Sequence, residues 1–494
     1  MSRNILVLYC IIVTSLAQDD VTTKTFPDDF MFGTGSSSYQ IEGAWNEDGK
    51  GENIWDHFTH TKPGRIPENA NGDIACDSYH KYKEDVALLK DMGVNHYLFS
   101  LSWSRILVNG TTDTINQAGI TYYKNLIKEL KGNGIEPFVT LFYSDLPQTL
   151  QMQGGWIDSF IIETFANYAR LCFEQFGDDV KYWLTFNDPK QLCLYGYGTG
   201  TMAPGIQEAA ILDYKCSYIV IKAHATVWHV YDEEFRSKQN GKVSIAIETS
   251  WYEPNGNSTD NQEAAERKLQ FTFGWFGNPV YNRDYPDIMK QLIGSRSQRE
   301  HRRTSRLPVF TDEELEYVHG TYDFLGLNSF TSGLIEEPRE EPEVAKPNYN
   351  DDCGVDEVEN TWPSSGSSWL KITPWAMRKL LNWVKDTYDN PDVFIIANGV
   401  IDDGSSLNDE IRINYYRDYL SNVRNAMDDG VNVIGYTAWS FLDSFQWLGG
   451  YTERYGFYYV DFESENRTRT PKGSVEYFKK VISTRCLVDT CDET

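Results

Sequence analysis

Val393-Phe394-Ile395-Ile396-Ala397-Asn398-Gly399 is the stretch that decides the fold of this chain of 494 residues. It is a short run of β-branched, aliphatic and aromatic side chains that stops at Asn-Gly and is followed by Asp402-Asp403-Gly404. A short apolar run bounded by turn residues is typical of a buried strand. The stretch therefore predicts a strand in the interior of the protein.

Seven further apolar runs occur along the chain, and helical patterns separate them. With the first stretch, the predicted strands are Phe30–Gly35, His96–Trp103, Pro137–Tyr143, Trp183–Asn187, Ser244–Glu248, Phe324–Asn328, Val393–Ala397 and Val433–Trp439. Near-continuous apolar strands are typical of a parallel sheet that helices cover. Eight strand–helix alternations without a Pro/Gly/Ser-rich linker predict one α/β domain, a single (β/α)8 TIM barrel. Its functional site should lie at the carboxyl ends of the strands.

The composition excludes some partners and leaves others open. A net charge of −27 argues against nucleic acid and anionic membranes as partners. The 14 Trp, 31 Tyr and 25 Phe residues suit a protein that stacks rings on sugars, but they suit a large core equally well. Between Ser295 and Arg306 five arginines follow one another closely. This run predicts either a solvated loop before a helix or a site for a heparin-like anion.

The first 17 residues have the features of a secretory signal. Arg3 supplies the positive charge, Ile5 to Val13 the apolar run, and Ser15-Leu16-Ala17 a small-residue cleavage site. We expect residues 1–17 to be removed and residues 18–494 to form the barrel. The apolar run is too short to cross a bilayer, and no later apolar run of 18 residues occurs. The sequence predicts a secreted, extracellular protein without a membrane span.

Sequons and cysteines agree with that route. Asn109, Asn257 and Asn466 each begin an Asn-X-Ser/Thr sequon and are predicted glycosylation sites. Removal of the signal leaves an odd number of cysteines, so at least one lies outside intramolecular pairs. The pairs Cys486–Cys491 and Cys193–Cys216 are candidates, Cys172 is interpreted as a free core thiol, and the sequence leaves the pairing open. No Cys/His cluster indicates a metal, and we predict no metal and no cofactor.

Long motifs across the chain resemble those of glycoside hydrolase family 1, from about Phe26 to about Tyr477. The motifs are residues 32–45 (FGTGSSSYQIEGAW), 136–142 (EPFVTLF) with 145–148 (DLPQ), 366–370 (GSSWL), and 435–436 (GY) with 438–440 (AWS). The pattern is similar to that of secreted animal members, such as insect β-glucosidases and myrosinases. The resemblance implies a (β/α)8 barrel and hydrolysis of β-glycosides.

The family's chemistry uses two carboxyl groups about 5–5.5 Å apart, one a proton donor and the other a nucleophile. By resemblance, the acid/base lies in Thr185-Phe186-Asn187-Asp188-Pro189, where Asp188 replaces a glutamate and is one methylene shorter. The nucleophile position is Ala397, and a methyl group cannot attack an anomeric carbon. A retaining mechanism is therefore not expected.

The resemblance also implies the residues that bind the sugar. These substrate-binding positions are Gln40, Asn187, Asn328, Trp439, Gln446 and Trp447. Several positions depart from the family: Gln446 stands for a glutamate, Tyr143-Ser144 for a His-Trp pair, and Leu98 for the arginine that pairs with the nucleophile. Loss of that arginine together with the carboxylate is chemically coherent, because a buried unpaired arginine is costly.

Three functions remain open. The first is a secreted binding protein that takes a glycoside, a small apolar metabolite or a protein partner at the old pocket, which has lost charge and should favour a neutral or apolar ligand. The second is an enzyme with altered chemistry, in which Asp188 supports slow or anion-assisted β-glycoside cleavage. The third is an ordinary β-glucosidase, which needs another carboxylate near Ala397. Glu42 and Glu248 lie near predicted strand ends, and Glu42 is interpreted as structural.

Overall fold

Eight parallel strands close into a barrel, as the sequence predicts. In this computed structural model, which describes residues 21–338 and 346–492, the signal at 1–17 lies outside the described residues. The barrel strands are β1 (Met31–Gly35), β2 (His96–Ser100), β3 (Glu136–Phe142), β4 (Tyr182–Asn187), β5 (Lys242–Glu248), β6 (Leu325–Asn328), β7 (Val393–Asn398) and β8 (Val433–Trp439). They follow one another around the barrel in chain order, and β8 closes on β1. All eight predicted strands are confirmed, with one shortened: the run from His96 ends as a strand at Ser100.

Helices form the outer layer of the barrel. The longer ones are Ile54–Thr61, Ser78–Met92, Gln117–Gly132, Phe160–Phe176, Leu212–Val230, Thr259–Leu269, Trp275–Tyr281, Asp287–Arg299, Asp312–Val318, Pro374–Thr387, Glu410–Asp428 and Gly473–Thr484. Shorter helical pieces are Ser38–Ile41, Pro67–Asn69, Trp103–Ile106, Thr112–Thr114, Gln148–Gln151, Gly155–Ile157, Pro189–Gln191, Leu192–Gly198, Tyr231–Phe235, Arg236–Gln239, Gln270–Gly274, Tyr349–Cys353 and Trp447–Gly449. Within the described residues, two small sheets lie outside the barrel, Trp251–Pro254 with Ser332–Glu336 and Asp356–Val358, and Tyr458–Val460 with Arg469–Pro471.

Aromatic side chains fill the lower part of the barrel. The ring of Phe394 on β7 lies 5.0 Å from that of Phe138 and 5.1 Å from that of His96, centroid to centroid. Tyr182 and Phe324 complete this cluster. All six residues of β7 are buried, and the first five are apolar without alternation, as expected for a strand covered on both faces. The filled interior leaves the carboxyl ends of the strands as the place for a site.

A buried ion-pair network fixes the segment that follows β7. The guanidinium of Arg412, on the helix Glu410–Asp428, lies 2.5 Å from carboxylate oxygens of Asp402 and of Asp409. It also donates to the backbone carbonyls of Val400 and Arg454, at 3.2 and 3.0 Å. The Arg412 side chain is fully buried. The network therefore ties the loop after β7 to the outer helix layer.

The arginine run differs from the prediction of a solvated loop. Arg296 and Arg299 belong to the helix Asp287–Arg299. Arg306 is buried, and its guanidinium lies 2.6 Å from the carboxylate of Asp352, itself buried. Because Arg306 is paired with Asp352 inside the protein, part of the arginine run links two segments of the chain.

Two disulfides form, at both candidate pairs. Cys193 is bonded to Cys216 and Cys486 to Cys491. Cys172 is a buried free thiol, as interpreted from the sequence, and Cys76 and Cys353 are buried thiols as well. The first disulfide joins the turn Leu192–Gly198 to the helix Leu212–Val230.

Surface features bear on the predicted modifications and membrane contacts. Asn257 and Asn466 are exposed, while Asn109 is partly buried. Over residues 21–338 and 346–492, no helix combines the length and apolar character needed to cross a bilayer. The described part of the chain also holds no group of three His, Cys, Asp or Glu side chains arranged around a metal position.

Candidate active site

A cavity of about 700 Å³ opens at the carboxyl ends of the barrel strands. Its aromatic lining consists of Tyr143, Tyr195, Tyr252, Phe330, Tyr349, Trp369, Trp439, Trp447 and Tyr455. Its charged lining consists of Asp188, Lys190, Glu248, Lys268, Glu357 and Glu453. A cavity of this size can hold a small ligand of several rings.

Asp188 follows the last residue of β4 and lies in the cavity wall. Its backbone has a positive φ of 61°, and its amide donates to the carbonyl of Ala246 on β5, at 3.1 Å. Register shifts between Leu184 and Asn187 accompany this change of direction at the end of β4. The side chain is only 4% exposed, and its Oδ1 accepts no hydrogen bond from any described residue. Asp188 therefore lines the cavity with a carboxyl group of which one oxygen is buried and has no hydrogen-bond partner among the described residues.

Burial raises the pKa of Asp188 well above its ordinary value, and the nearby Glu248 carboxylate raises it further, while Lys190 opposes both. The group should keep its proton to a higher pH than an exposed aspartate. That is the property a general acid needs.

Asp188→Asn is expected to change how stability depends on pH. Because the folded state holds this proton after the unfolded chain has lost it, above about pH 4, wild-type stability should fall as the pH rises until the folded carboxyl has titrated. The variant lacks that penalty. Its free energy of unfolding relative to wild type should therefore rise through this window, by up to about 1.4 kcal/mol per pH unit.

Urea unfolding at a series of pH values measures this difference. Asp179→Asn, at an exposed position, is the matched control for removing one carboxylate. Parallel stability curves for wild type and Asp188→Asn would contradict the assigned environment of Asp188.

Lys190 and Glu248 form an ion pair beside Asp188. The Lys190 ammonium lies 2.5 Å from the Glu248 carboxylate, at the end of β5. Burial lowers the pKa of Lys190, but the Glu248 carboxylate, together with Tyr252 and Tyr195, raises it, and the net shift is upward. The lysine therefore stays charged and is not a free nucleophile. The pair forms because β4 and β5 are neighbours, with Asn187 opposite Ala246.

Four predicted site residues lie beneath the cavity surface. Of the described residues, those that line the cavity do not include Gln40, Asn187, Asn328 or Ala397, all of which are buried. The Asn328 amide donates to Asn187 Oδ1, at 2.7 Å, and the Gln40 amide donates to Gln446 Oε1, at 3.2 Å. Ala397 pairs in register with Asn328. Gln40 therefore contacts the lining residue Gln446, and Asn328 holds Asn187, which precedes Asp188 in the chain.

The other four predicted site residues, Asp188, Trp439, Gln446 and Trp447, line the cavity. The ring of Tyr143 meets Trp439 and Trp447 edge to face, with centroids 6.3 and 5.4 Å apart. Tyr143 therefore fills the position between the two tryptophans where the family motif has His. The eight predicted residues therefore form two groups, four in the cavity lining and four buried outside it.

The end of β7 carries no acidic group. Its six residues, all described, are Val-Phe-Ile-Ile-Ala-Asn, and Ala397 is 3% exposed. The nearest acid beyond it with a buried side chain, Asp402, is held by Arg412 and by Lys472, at 2.5 and 2.8 Å. Burial alone would raise the pKa of Asp402, but these two cations outweigh it and hold the pKa below its ordinary value. Asp402 is thus engaged in the structural network.

Leu98 and Glu42 are the positions where the sequence predicts a lost arginine and a structural carboxylate. Leu98 on β2 is buried, so the position implied for an arginine is apolar. Glu42 accepts from Arg105, at 2.8 Å, and from the Tyr123 hydroxyl, at 2.6 Å. Both carboxylate oxygens of Glu42 are thereby used, in line with the structural interpretation of this residue.

Sequence reasoning missed much of the charged wall. Lys268, Glu357 and Glu453 line the cavity but carry no motif that would single them out. Trp369 is half exposed and borders the cavity. Because it lies in the motif 366–370, the sequence could have indicated it as a site residue. The expectation that the pocket has lost charge stays a prediction: Ala397 and Leu98 are buried apolar residues outside the lining, while six charged side chains line the cavity.

Comparisons with known proteins extend over nearly the whole chain. The family model described as glycosyl hydrolase family 1 matches residues 22–486. The chain is 47% identical to the lactase-like protein of Homo sapiens over 464 residues, covering 93% of this chain and 82% of that protein. It is 46% identical to myrosinase 1 of Brevicoryne brassicae, covering 93% and 98%. A solved aphid myrosinase structure matches with a TM-score of 0.90 at 45% identity, covering 94% of this chain and all of that one.

Proposed function

The chain belongs to glycosyl hydrolase family 1, and on that premise we propose that it binds a β-glycoside without cleaving it through a covalent intermediate. One observation carries the proposal: the cavity keeps Asp188, Trp439, Gln446 and Trp447 in its lining, while β7 ends in Ala397 without a carboxyl group. The residues that could bind a sugar are therefore present, but the nucleophile is missing.

Glu248, the carboxylate at the end of the strand next to β4, does not replace it. Double displacement needs carboxyl groups that flank the glycosidic bond. Asp188 and Glu248 extend from neighbouring strands, β4 and β5, whereas β7 is separated from β4 by two strands. Two acids on the same side of the cavity do not flank a bound sugar, and Glu248 is already paired with Lys190.

The aromatic wall supports binding of a sugar. Trp439, Trp447 and Gln446 all line the cavity. Apolar ring faces pack against the C–H face of a sugar, and a few polar groups fix its orientation. The Gln446 amide is held in place because its Nε2 donates to Ser444 Oγ, at 2.9 Å.

Turnover and binding of an aryl β-glucoside test the proposal together. We expect calorimetry to detect binding by the secreted protein, and we expect no release of the aryl alcohol, with or without added azide or formate. Trp447→Ala should weaken binding about tenfold, because it removes a stacking face worth about 1–2 kcal/mol. Trp362→Ala, outside the cavity lining, is the matched control.

A second function is favoured by the raised pKa of Asp188. A carboxyl group that keeps its proton can protonate a leaving oxygen, and a small anion could then attack the anomeric carbon from the opposite face of the sugar. Turnover that appears only with azide or formate and disappears in Asp188→Asn would establish this function. Turnover without the anion would contradict both readings and indicate an unrecognised nucleophile.

Secretion is also part of the proposal. Two disulfides, exposed Asn257 and Asn466, and the signal-like residues 1–17 support it. Disulfides persist in oxidising compartments. Expression in animal cells should place the protein in the medium, in a form that a glycosidase for N-linked glycans shortens on a gel.

A further inference from the structure

We propose that the cavity selects a ligand with a positive charge, in the first place the β-glycoside of an amine-bearing aglycone. The inference rests on the proposed function and adds the chemical class of the ligand. It depends on the charged wall, on one unpartnered carboxyl group and on the aromatic lining.

The charged wall has an excess of acid. Three glutamates, Glu248, Glu357 and Glu453, line the cavity against the two ammonium groups of Lys190 and Lys268, and Asp188 adds a further negative charge once it has lost its proton. The surrounding protein carries a net charge of −27 and adds to the negative potential. A cation is therefore attracted into the cavity, and an anion is repelled.

Both lysines are already engaged. Lys190 lies 2.5 Å from Glu248, and Lys268 lies 4.0 Å from Glu357. An anionic ligand would have to displace a carboxylate from one of these pairs. Asp188, in contrast, is more than nine-tenths buried, and its Oδ1 has no hydrogen-bond partner among the described residues. The Asp188 carboxyl group lines the cavity and belongs to no ion pair among the described residues, so a donor from the ligand binds it without displacing a cation.

The aromatic lining suits a cation as well as a sugar. Tyr143 packs against both Trp439 and Trp447 and lies near Asp188. Tyr195 and Tyr252 line the cavity near Lys190. Ring faces attract ammonium groups, and the attraction is stronger when the cation is desolvated. A charge-assisted hydrogen bond to Asp188 adds to this attraction.

The test is a calorimetric titration with three glucosides of equal shape. They are 4-(aminomethyl)phenyl, 4-(hydroxymethyl)phenyl and 4-carboxyphenyl β-D-glucoside, which are cationic, neutral and anionic at neutral pH. We expect the aminomethyl glucoside to bind at least tenfold more tightly than the hydroxymethyl one, and the carboxyphenyl glucoside to bind most weakly. Benzylamine alone, in the same titration, separates recognition of a glycoside from recognition of a free amine.

Two variants test whether the carboxyl groups of the cavity wall cause the preference for the amine. Asp188→Asn and Glu248→Gln should each reduce the ratio of aminomethyl to hydroxymethyl affinity by about tenfold. Glu253→Gln is the matched control, because Glu253 pairs with Lys379 and is not in the lining. Titration in two buffers that differ in ionisation enthalpy should show proton release on binding of the amine, and Asp188→Asn should remove it.

The outcomes are distinct. If the hydroxymethyl glucoside binds as tightly as the aminomethyl one, the inference is overturned and the proposed function stands. If none of the three binds, both fail. If the carboxyphenyl glucoside binds most tightly, the lysines and not the carboxyl groups recognise the ligand, and the inference is overturned.

Discussion

Arg412→Ala is expected to lower the free energy of unfolding by about 3–5 kcal/mol. The guanidinium is fully buried and lies 2.5 Å from both Asp402 and Asp409. Removing it leaves two buried carboxylates with one cation fewer and two backbone carbonyls, of Val400 and Arg454, without its donors. Breaking one side of a buried ion pair costs more than the pair itself contributes, because the remaining charge cannot reach water.

Arg417→Ala is the matched control for this change. Arg417 lies on the same helix and pairs with Asp418, but its side chain is one-third exposed. Solvent-exposed pairs contribute about 0–1 kcal/mol, so the control should change stability little. Urea unfolding followed by circular dichroism measures both variants. An Arg412→Ala cost below about 1 kcal/mol would show that the carboxylates reorganise or take up protons.

Gly399→Ala is expected to cost about 3 kcal/mol, near the upper end for an added methyl group in a packed interior. A Cβ at this position would lie 1.8 Å from the backbone oxygen of Trp439. Backbone atoms cannot move aside as a flexible side chain can, so the end of β7 and the end of β8 must separate. Because Trp439 lines the cavity, binding of an aryl β-glucoside should weaken about tenfold as well.

Gly294→Ala provides the contrast. Gly294 lies inside the helix Asp287–Arg299, and a Cβ there meets no atom within 4 Å. Replacing a helical glycine in open space should stabilise the protein by about 0.5–1 kcal/mol. Thermal unfolding and the glucoside titration are measured for both variants. Equal behaviour of the two would mean that contact with Trp439 does not decide the effect.

The barrel could be predicted from the sequence because each strand is buried on both faces. Val393 to Asn398 is continuously apolar up to its end, and the same holds for most of the other strands, so their positions stand out without an alternating pattern. The run from His96 was predicted too long because Trp103 is apolar but begins the helix Trp103–Ile106. Hydrophobicity alone does not separate the end of a strand from a buried helix that follows it.

The site could be predicted only in part. Asp188 follows β4 directly and Trp439 is the last residue of β8, so their places were set once the strands were known. Gln446 and Trp447 lie seven and eight residues beyond the end of β8, so only the resemblance to the family indicated them. The pairing of Lys190 with Glu248 depends on the register between β4 and β5, which the sequence does not state. Glu357 comes from a small sheet outside the barrel, more than a hundred residues from Glu248 in the chain. Which charged residues line the cavity could therefore be seen only in the structure.

The disulfide between Cys193 and Cys216 bears on how strongly the cavity can hold a ligand. It closes the segment that contributes Leu194, Tyr195, Thr201 and Met202 to the wall. The chain entropy lost by ordering this segment is lost during folding, not during association. A ligand that enters finds the wall already in place, so more of its interaction energy is available as affinity.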